Sequence, residues 1–172
     1  MRNNNTEQRI LDAAWSLFEK EGFSDTSTRQ ISAASNIAVG TLFNYFPDKV
    51  AILEGCLENR FAEVLEHAKE TDIHRPARLK ISHYAQYFYQ FYCTHHHFYK
   101  PLFSDRLFSE SFQKQHIRLM ESLIFADQPH FNKVKAAILL DCYFMTLLHG
   151  LCSDKPNTKD MLKTLSQKVS IF

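Results

Sequence analysis

Residues that interrupt helices are scarce in this chain, with only four glycines and five prolines among its 172 residues. A β-hairpin signal is also missing, which counts against an all-β fold. The apolar residues recur instead at spacings of three and four, the period of amphipathic helices. The sequence therefore predicts an all-α fold of about nine helices.

Export and membrane signals are missing as well. The N-terminal MRNNNTEQR is polar and has no apolar signal-peptide core. The longest apolar run, Ala136 to Leu151, contains Asp141 and His149 and is short for a bilayer span. The cysteines lie far apart, which favours buried reduced thiols over a disulfide framework. We expect a cytoplasmic protein without a membrane partner; its cysteines are Cys56, Cys93, Cys142 and Cys152.

Catalytic motifs are absent too. The chain has no G-x-S-x-G, H-E-x-x-H, paired C-x-x-C or phosphate-binding glycine loop. Three consecutive histidines, His95 to His97, do not predict a metal site, because neighbouring helical positions diverge by about 100°. The sequence thus predicts neither an enzyme nor a cofactor or metal site, although a helical enzyme whose catalytic groups have no sequence signature stays open as an alternative.

A strong positive charge is missing. The net charge is +1, and the first 49 residues carry five basic and six acidic side chains. Phosphate neutralisation supplies most non-specific DNA affinity. Any DNA binding by this region must therefore depend on a few well-placed groups, repeated in a dimer.

The stretch from Thr28 to Lys49 has the pattern of two short helices joined by a tight bend. Thr28 is the expected N-cap of the first helix, and Asn36 tolerates the left-handed backbone that closes it. The second helix should run from Val39 to Tyr45, since Pro47 disfavours helix at the residue before it. Two helices connected in this way suit insertion of the second one into a DNA major groove.

Residues 6–53 resemble the DNA-binding head of the TetR family of transcriptional regulators. The segment VGTLFNYFPDK matches the family pattern G-T-[LIV]-[YF]-x-[YH]-F-x-x-K. The resemblance implies a helix-turn-helix DNA-binding domain over residues 1–49 and a helical effector-binding and dimerisation domain over residues 50–172. It also implies a homodimeric repressor, released from a pseudo-palindromic double-stranded operator by a small apolar or aromatic effector. An architectural DNA-binding protein that needs no effector is the alternative.

The resemblance places the DNA contacts on the two short helices. Asn44 is the best candidate for base readout, because its amide can pair with adenine. Phe43 stands where tyrosine is commoner, which leaves apolar contact with base methyls or sugar. Ala38 lacks the side-chain oxygen that usually caps such a helix. The predicted contacts are Thr28, Arg29, Val39, Gly40, Thr41, Phe43, Asn44, Tyr45 and Lys49.

The aromatic helix that ends near His95 has two open interpretations, a packed core or an effector cavity. The cavity candidates are Phe61, Tyr84, Tyr87, Phe88, Phe91, Tyr92, Phe108, Phe112, Met120, Cys142, Met145 and His149. The last two helices, residues 131–152 and 158–172, are apolar enough to form a dimer interface. The interface candidates are Ile138, Met145, Leu148, Leu162, Leu165 and Val169.

Overall fold

The computed structural model describes residues 4–98, 110–125 and 132–171, and these residues form helices and turns without a strand. The all-α prediction is confirmed. Residues 96–98 are helical, and eight further helices are delimited in the described ranges. They are α1 (Asn4–Glu21), α2 (Thr28–Ala34), α3 (Val39–Tyr45), α4 (Lys49–Glu70), α5 (Ala77–Thr94), α6 (Glu110–Phe125), α7 (Lys133–Leu151) and α8 (Thr158–Val169).

The chain divides into two compact units, Met1–Ala62 and Glu63–Phe172. The division falls within α4, so the first part of this helix belongs to the same unit as α1 to α3. The functional boundary between residues 49 and 50 stays a prediction.

The first unit is built around side chains that the helical period places inward. Phe18 of α1, Ile31 of α2 and Leu42 of α3 are buried, and Ile52 and Leu53 of α4 are completely buried beside them. A core this small is marginal on its own, so the apolar residues that α4 contributes are part of what makes the unit compact.

A glycine follows the last residue of α1. Gly22 has a φ of +86°, a conformation that glycine adopts without steric penalty. Phe23 then folds back, and its ring centroid lies 5.4 Å from that of Phe18. The turn between α1 and α2 is therefore anchored in the core.

The second unit has an aromatic core formed by α5 to α8. Tyr84, Phe88 and Tyr92 of α5 are buried. Tyr89 stacks on Tyr143 of α7, with centroids 5.1 Å apart, and its hydroxyl donates a 2.7 Å hydrogen bond to the Tyr143 carbonyl. The aromatic residues of α5 therefore form a packed core, which is one of the two predicted interpretations.

Helix α7 is longer than the apolar run that predicted it. It begins at Lys133 and, at 19 residues with a mean hydropathy of 1.4, is long and apolar enough to cross a membrane. Its length therefore does not exclude a span, contrary to the prediction. Its inward side chains Leu139, Leu140, Tyr143 and Leu147 are nevertheless buried in the second unit, which is the pattern of a core helix.

Candidate nucleic-acid interface

Helix α2 is capped one residue earlier than predicted. Its N-cap is Ser27, and Thr28 is the first helical residue. The Ser27 hydroxyl accepts a hydrogen bond from the Gln30 N–H, and the Gln30 side chain accepts one from the Ser27 N–H. This reciprocal capping box satisfies two N–H groups at the helix end. Three consecutive hydroxyl residues begin this segment, so the pattern alone could not single out Ser27.

The bend between α2 and α3 is closed as expected. Asn36 has a φ of +53°, the left-handed conformation that asparagine tolerates better than most residues. Arg9 of α1 reaches the bend and donates a 2.6 Å hydrogen bond to the Ser35 carbonyl. The arginine thereby satisfies a carbonyl at the end of α2 and holds the bend against α1. The prediction missed Arg9, because a contact across 26 residues leaves no local pattern.

Helix α3 has one buried face and one exposed face. Leu42 is completely buried, whereas Val39, Gly40, Phe43 and Asn44 are exposed. Residues four apart lie on the same face of a helix. The exposed face thus has one row of Val39 and Phe43 beside a second row of Gly40 and Asn44.

The remaining predicted contacts differ in accessibility. Arg29 lies in the first turn of α2 and is exposed, while Thr28, Thr41 and Tyr45 are half-buried. The N-cap of α3 is Ala38, which makes no side-chain capping bond. Arg29 is therefore the exposed cation among the predicted contacts.

Lys49 has a different geometry from the other predicted contacts. Its ammonium donates hydrogen bonds to the carbonyls of Phe23, Ser24 and Thr26, at 2.6, 3.2 and 2.7 Å, and lies 4.4 Å from the Phe23 ring centroid. Burial lowers the pKa of Lys49, and the carboxylate of Asp25 partly offsets this effect. All three ammonium protons have partners within the chain. In the free protein Lys49 therefore anchors the α1–α2 turn, and its contact with DNA stays a prediction.

The cavity candidates are dispersed. Tyr84, Phe88, Phe91, Tyr92 and Met120 are buried, whereas Tyr87 and Cys142 are half-buried. Met145 and His149 are exposed on α7, and their place in an effector site stays a prediction.

The other cavity candidates are Phe61, Phe108 and Phe112, and Tyr84 also makes polar contacts. Phe61 belongs to the first unit. Phe108 and the side chain of Phe112 lie outside the described residues. The hydroxyl of the buried Tyr84 donates to Asp72, which also lies 3.9 Å from the Lys80 ammonium. This tyrosine is therefore part of a polar cluster that holds α5 to the preceding turn.

A buried histidine of α6, His116, was not predicted. Its Nδ1 lies 3.4 Å from the Tyr92 hydroxyl and its Nε2 lies 3.3 Å from the Tyr143 hydroxyl. Burial lowers the pKa of His116 to about 4, so the ring is neutral at pH 7, with one nitrogen donating and the other accepting. A single histidine in an amphipathic helix looks the same in sequence whether it faces solvent or the core.

The interface candidates fall into two groups. Ile138 and Met145 are each 43% exposed on α7, in line with the exposed Val134. Leu148 and Leu162 are half-buried. By contrast, Leu165 is completely inaccessible and Val169 is buried, because the apolar side of α8 packs inside the unit. Assigning Leu165 and Val169 to a dimer surface was therefore wrong.

The histidines at the end of α5 make contacts with their own helix. The His95 ring centroid lies 4.9 Å from that of Phe91, and His96 Nδ1 lies 3.0 Å from the Cys93 carbonyl. Within the described ranges, no group of three or more histidine, cysteine or acidic residues is placed to hold a metal ion.

The capped α2, the closed bend and the half-exposed α3 define a helix-turn-helix protein. Residues 10–56 match the family of bacterial regulatory proteins described as the tetR family. This match covers the helix-turn-helix and lies within the first unit.

Curated relatives match about a third of this chain. The HTH-type transcriptional repressor KstR of Rhodococcus jostii (strain RHA1) is 37% identical over 62 residues, which cover 36% of this chain and 29% of that protein. The uncharacterized HTH-type transcriptional regulator YvkB of Bacillus subtilis (strain 168) is 38% identical over 52 residues, or 30% of this chain and 28% of that protein. The match thus spans less than a third of the length of these relatives.

The likeness to solved structures extends over most of the chain. FadR of Thermus thermophilus, a TetR family transcriptional repressor solved in complex with lauroyl-CoA, has a TM-score of 0.71 and 20% identity. The alignment covers 96% of this chain and 92% of that one. FadR of Bacillus halodurans, a fatty acid degradation regulator, has a TM-score of 0.61 and 15% identity over 93% of this chain and 95% of that one. At these identities the likeness shows the TetR fold.

Proposed function

We propose that this protein is a cytoplasmic transcriptional repressor that binds a pseudo-palindromic operator as a homodimer and is released by a small apolar or aromatic effector. The observation that carries the proposal is the exposed face of α3, with Val39, Gly40, Phe43 and Asn44 accessible on a helix-turn-helix that matches the family domain. Each head would place α3 in a major groove, with half-sites about one helical turn, ~34–36 Å, or a multiple apart.

Dimerisation would use the exposed apolar side chains of α7. Val134, Ile138 and Met145 form a row on one side of this helix, and 68%, 43% and 43% of their surfaces are accessible. Apolar surface of this kind is typical of interfaces between subunits. A dimer would double the contacts of a head that has few exposed cations.

An effector would act by population shift. A ligand that binds better to the arrangement with low DNA affinity reduces operator binding by its differential affinity for the two states. The aromatic side chains of α5 supply the chemistry for an apolar ligand, and the lauroyl-CoA complex of the Thermus thermophilus protein is consistent with this class. Helix α4 begins in the first unit and ends in the second, so we propose it as the transmitter.

The DNA-binding proposal is tested by selecting bound sequences from a random duplex library. A palindromic consensus is expected. Asn44→Ala should then cost about 1–3 kcal/mol of discrimination at one base position. An unchanged sequence preference would remove Asn44 from base readout, and failure of the library to enrich any sequence would contradict the proposed function.

Gly40→Ala separates DNA contact from folding. A Cβ at Gly40 would meet no atom within 4 Å, and alanine favours helix by about 1 kcal/mol over glycine. The variant should therefore be at least as stable as the parent in a thermal melt. Its affinity for the selected operator should fall, because the added methyl lies on the face that approaches the duplex. Equal affinity of both proteins would place α3 outside the groove.

Native mass spectrometry of the purified protein tests the effector. A co-purifying apolar small molecule that lowers operator affinity when added back would support release by an effector. Operator affinity that no apolar or aromatic compound changes would favour an architectural DNA-binding protein instead.

A further inference from the structure

Two apolar side chains stand side by side on the exposed face of α3. Val39 and Phe43 are separated by one helical turn and keep 36% and 45% of their surfaces accessible. The neighbouring row on the same face is Gly40 and Asn44. The space over Gly40 is open, since a Cβ built there meets no atom within 4 Å. The two side chains thus form one apolar strip with open space on one side and Asn44 beside it.

Valine and phenylalanine have no group that can donate or accept a hydrogen bond. In a major groove, each base pair presents donors and acceptors, and the apolar feature among them is the C5-methyl group of thymine. Asn44 has complementary chemistry, because a carboxamide pairs bidentately with adenine. Both kinds of readout therefore point to the same base pair, A·T.

The strip is too small to be a protein interface. Stable protein–protein interfaces bury about 1,200–2,000 Å² in total, whereas α3 has seven residues, with one face packed in the core through Leu42. The charge also favours contacts with bases. The first 49 residues carry no net positive charge, so this head cannot derive its sequence preference or much of its affinity from phosphates.

We propose that Val39 and Phe43 read thymine methyl groups, so that each half-site carries A·T pairs opposite α3, with an adenine at Asn44. This inference rests on the proposed DNA-binding function and specifies the sequence class of its operator.

The test replaces thymine by deoxyuridine in the selected operator, one position at a time. Uracil keeps the Watson–Crick pairing and removes only the methyl group. For the parent protein, affinity measured by fluorescence anisotropy should fall about fourfold at each contacted thymine, the value expected for one buried methyl. Substitution at thymines outside the half-sites should have no effect and serves as the matched DNA control.

Protein variants identify which side chain, Val39 or Phe43, contacts each thymine methyl group. Val39→Ala and Phe43→Ala should each become insensitive to deoxyuridine at one position while keeping sensitivity at the other. Phe43→Tyr keeps the ring and should keep the sensitivity of the parent. Both residues are exposed, so the alanine variants should fold; circular dichroism and a thermal melt check this.

Two results would overturn the methyl-reading assignment. The first is full affinity for every deoxyuridine operator. The second is an equal loss by the alanine variants on thymine and deoxyuridine DNA, which would mean contact with sugar or another surface. In either case binding to the selected operator would persist and the proposed function would stand. A protein that enriches no DNA sequence would instead contradict the proposed function itself.

Discussion

A substitution of Lys49 can distinguish two roles of this residue, the anchoring of the α1–α2 turn and contact with DNA. Lys49→Met keeps the apolar stem and removes three hydrogen bonds to the carbonyls of the α1–α2 turn. A hydrogen bond that involves a charged group contributes at most about 1.5–3 kcal/mol to the free energy of unfolding. The contribution is smaller where water can replace the lost partner. We expect the free energy of unfolding to fall by about 1–3 kcal/mol, measured by urea denaturation.

Arg29→Ala is the matched control for this variant. Arg29 is exposed in the first turn of α2, so its loss should leave the stability nearly unchanged. If it contacts a phosphate, the slope of log affinity against log salt should decrease by about one. A Lys49→Met protein with parental stability and a reduced salt slope would show that Lys49 exchanges its carbonyl partners for phosphate in the complex.

His116 makes the stability of the second unit depend on pH. Its pKa in the folded protein, about 4, lies below the ordinary 6.5. As the pH falls through 6.5, the unfolded chain takes up a proton that the folded protein does not bind, so unfolding becomes more favourable. The loss continues down to about pH 4 and amounts to about 3 kcal/mol.

The variant His116→Gln removes this titration and keeps a hydrogen-bonding side chain between the two tyrosines. Between about pH 7 and about pH 4 its free energy of unfolding should depend less on pH than that of the parent, at a fixed protein concentration. His149→Gln changes an exposed histidine and is the control for the His-to-Gln substitution itself. Identical profiles for the parent and His116→Gln would mean that His116 is not buried in its neutral form.

At the scale of whole helices, Met161 marks the place where three of them meet. Cys93 of α5 lies with its Sγ 3.6 Å from the Met161 sulfur. A Cβ at Gly150 of α7 would approach the same sulfur too closely for the side chain to stay in place. Gly150→Ala should therefore destabilise the protein by about 1–2 kcal/mol, because overpacking outweighs the gain in helix propensity. Thermal unfolding measures the change.

A second substitution gives the control for this contact. If Gly150→Ala acts by displacing Met161, it should lower the free energy of unfolding by less in a Met161→Ala protein, where the smaller side chain leaves space for the added methyl group. The double-mutant cycle should give a coupling energy of about 0.5–3 kcal/mol. Additive effects of the two substitutions would mean that Gly150→Ala destabilises the protein by another route, for instance by changing the end of α7 itself.

The helices could be predicted from the sequence because their apolar periods, caps and prolines are local signals. The pattern of α8 correctly showed one apolar side with Leu165 and Val169, but it could not show whether this side packs in the subunit or against a partner. The anchors Arg9 and Lys49 bind carbonyls 23 to 27 residues away. Backbone carbonyls are present at every position, so such contacts have no sequence signature.

The assembly of the whole molecule can be tested at α7. Met145→Glu and Ile138→Glu place a charge on exposed positions and should convert the proposed dimer to a folded monomer in sedimentation experiments, because a buried unpaired charge is costly. Leu165→Glu is the contrasting variant. It introduces the charge into the core and should unfold the second unit, as circular dichroism would show.

A dimer that survives both Met145→Glu and Ile138→Glu would mean that the interface lies elsewhere. A folded dimer of Leu165→Glu would contradict the buried position of this residue. Since dimer stability depends on concentration, all three variants are compared at the same protein concentration.

The ties between α1 and α4 have a consequence for exchanging parts between related regulators. The Cys56 thiol donates to the Leu11 carbonyl at 3.3 Å, and Asn59 donates to Gln8 at 3.0 Å. Ile52 and Leu53 complete the core beside them. A chimera joined at residue 49 would take helices α1 to α3 from one parent. The α4 side chains that complete their core would come from the other parent. We expect operator preference to transfer intact when the crossover lies beyond Ala62. The segment to exchange is therefore the whole first unit, including the first part of α4, rather than the helix-turn-helix alone.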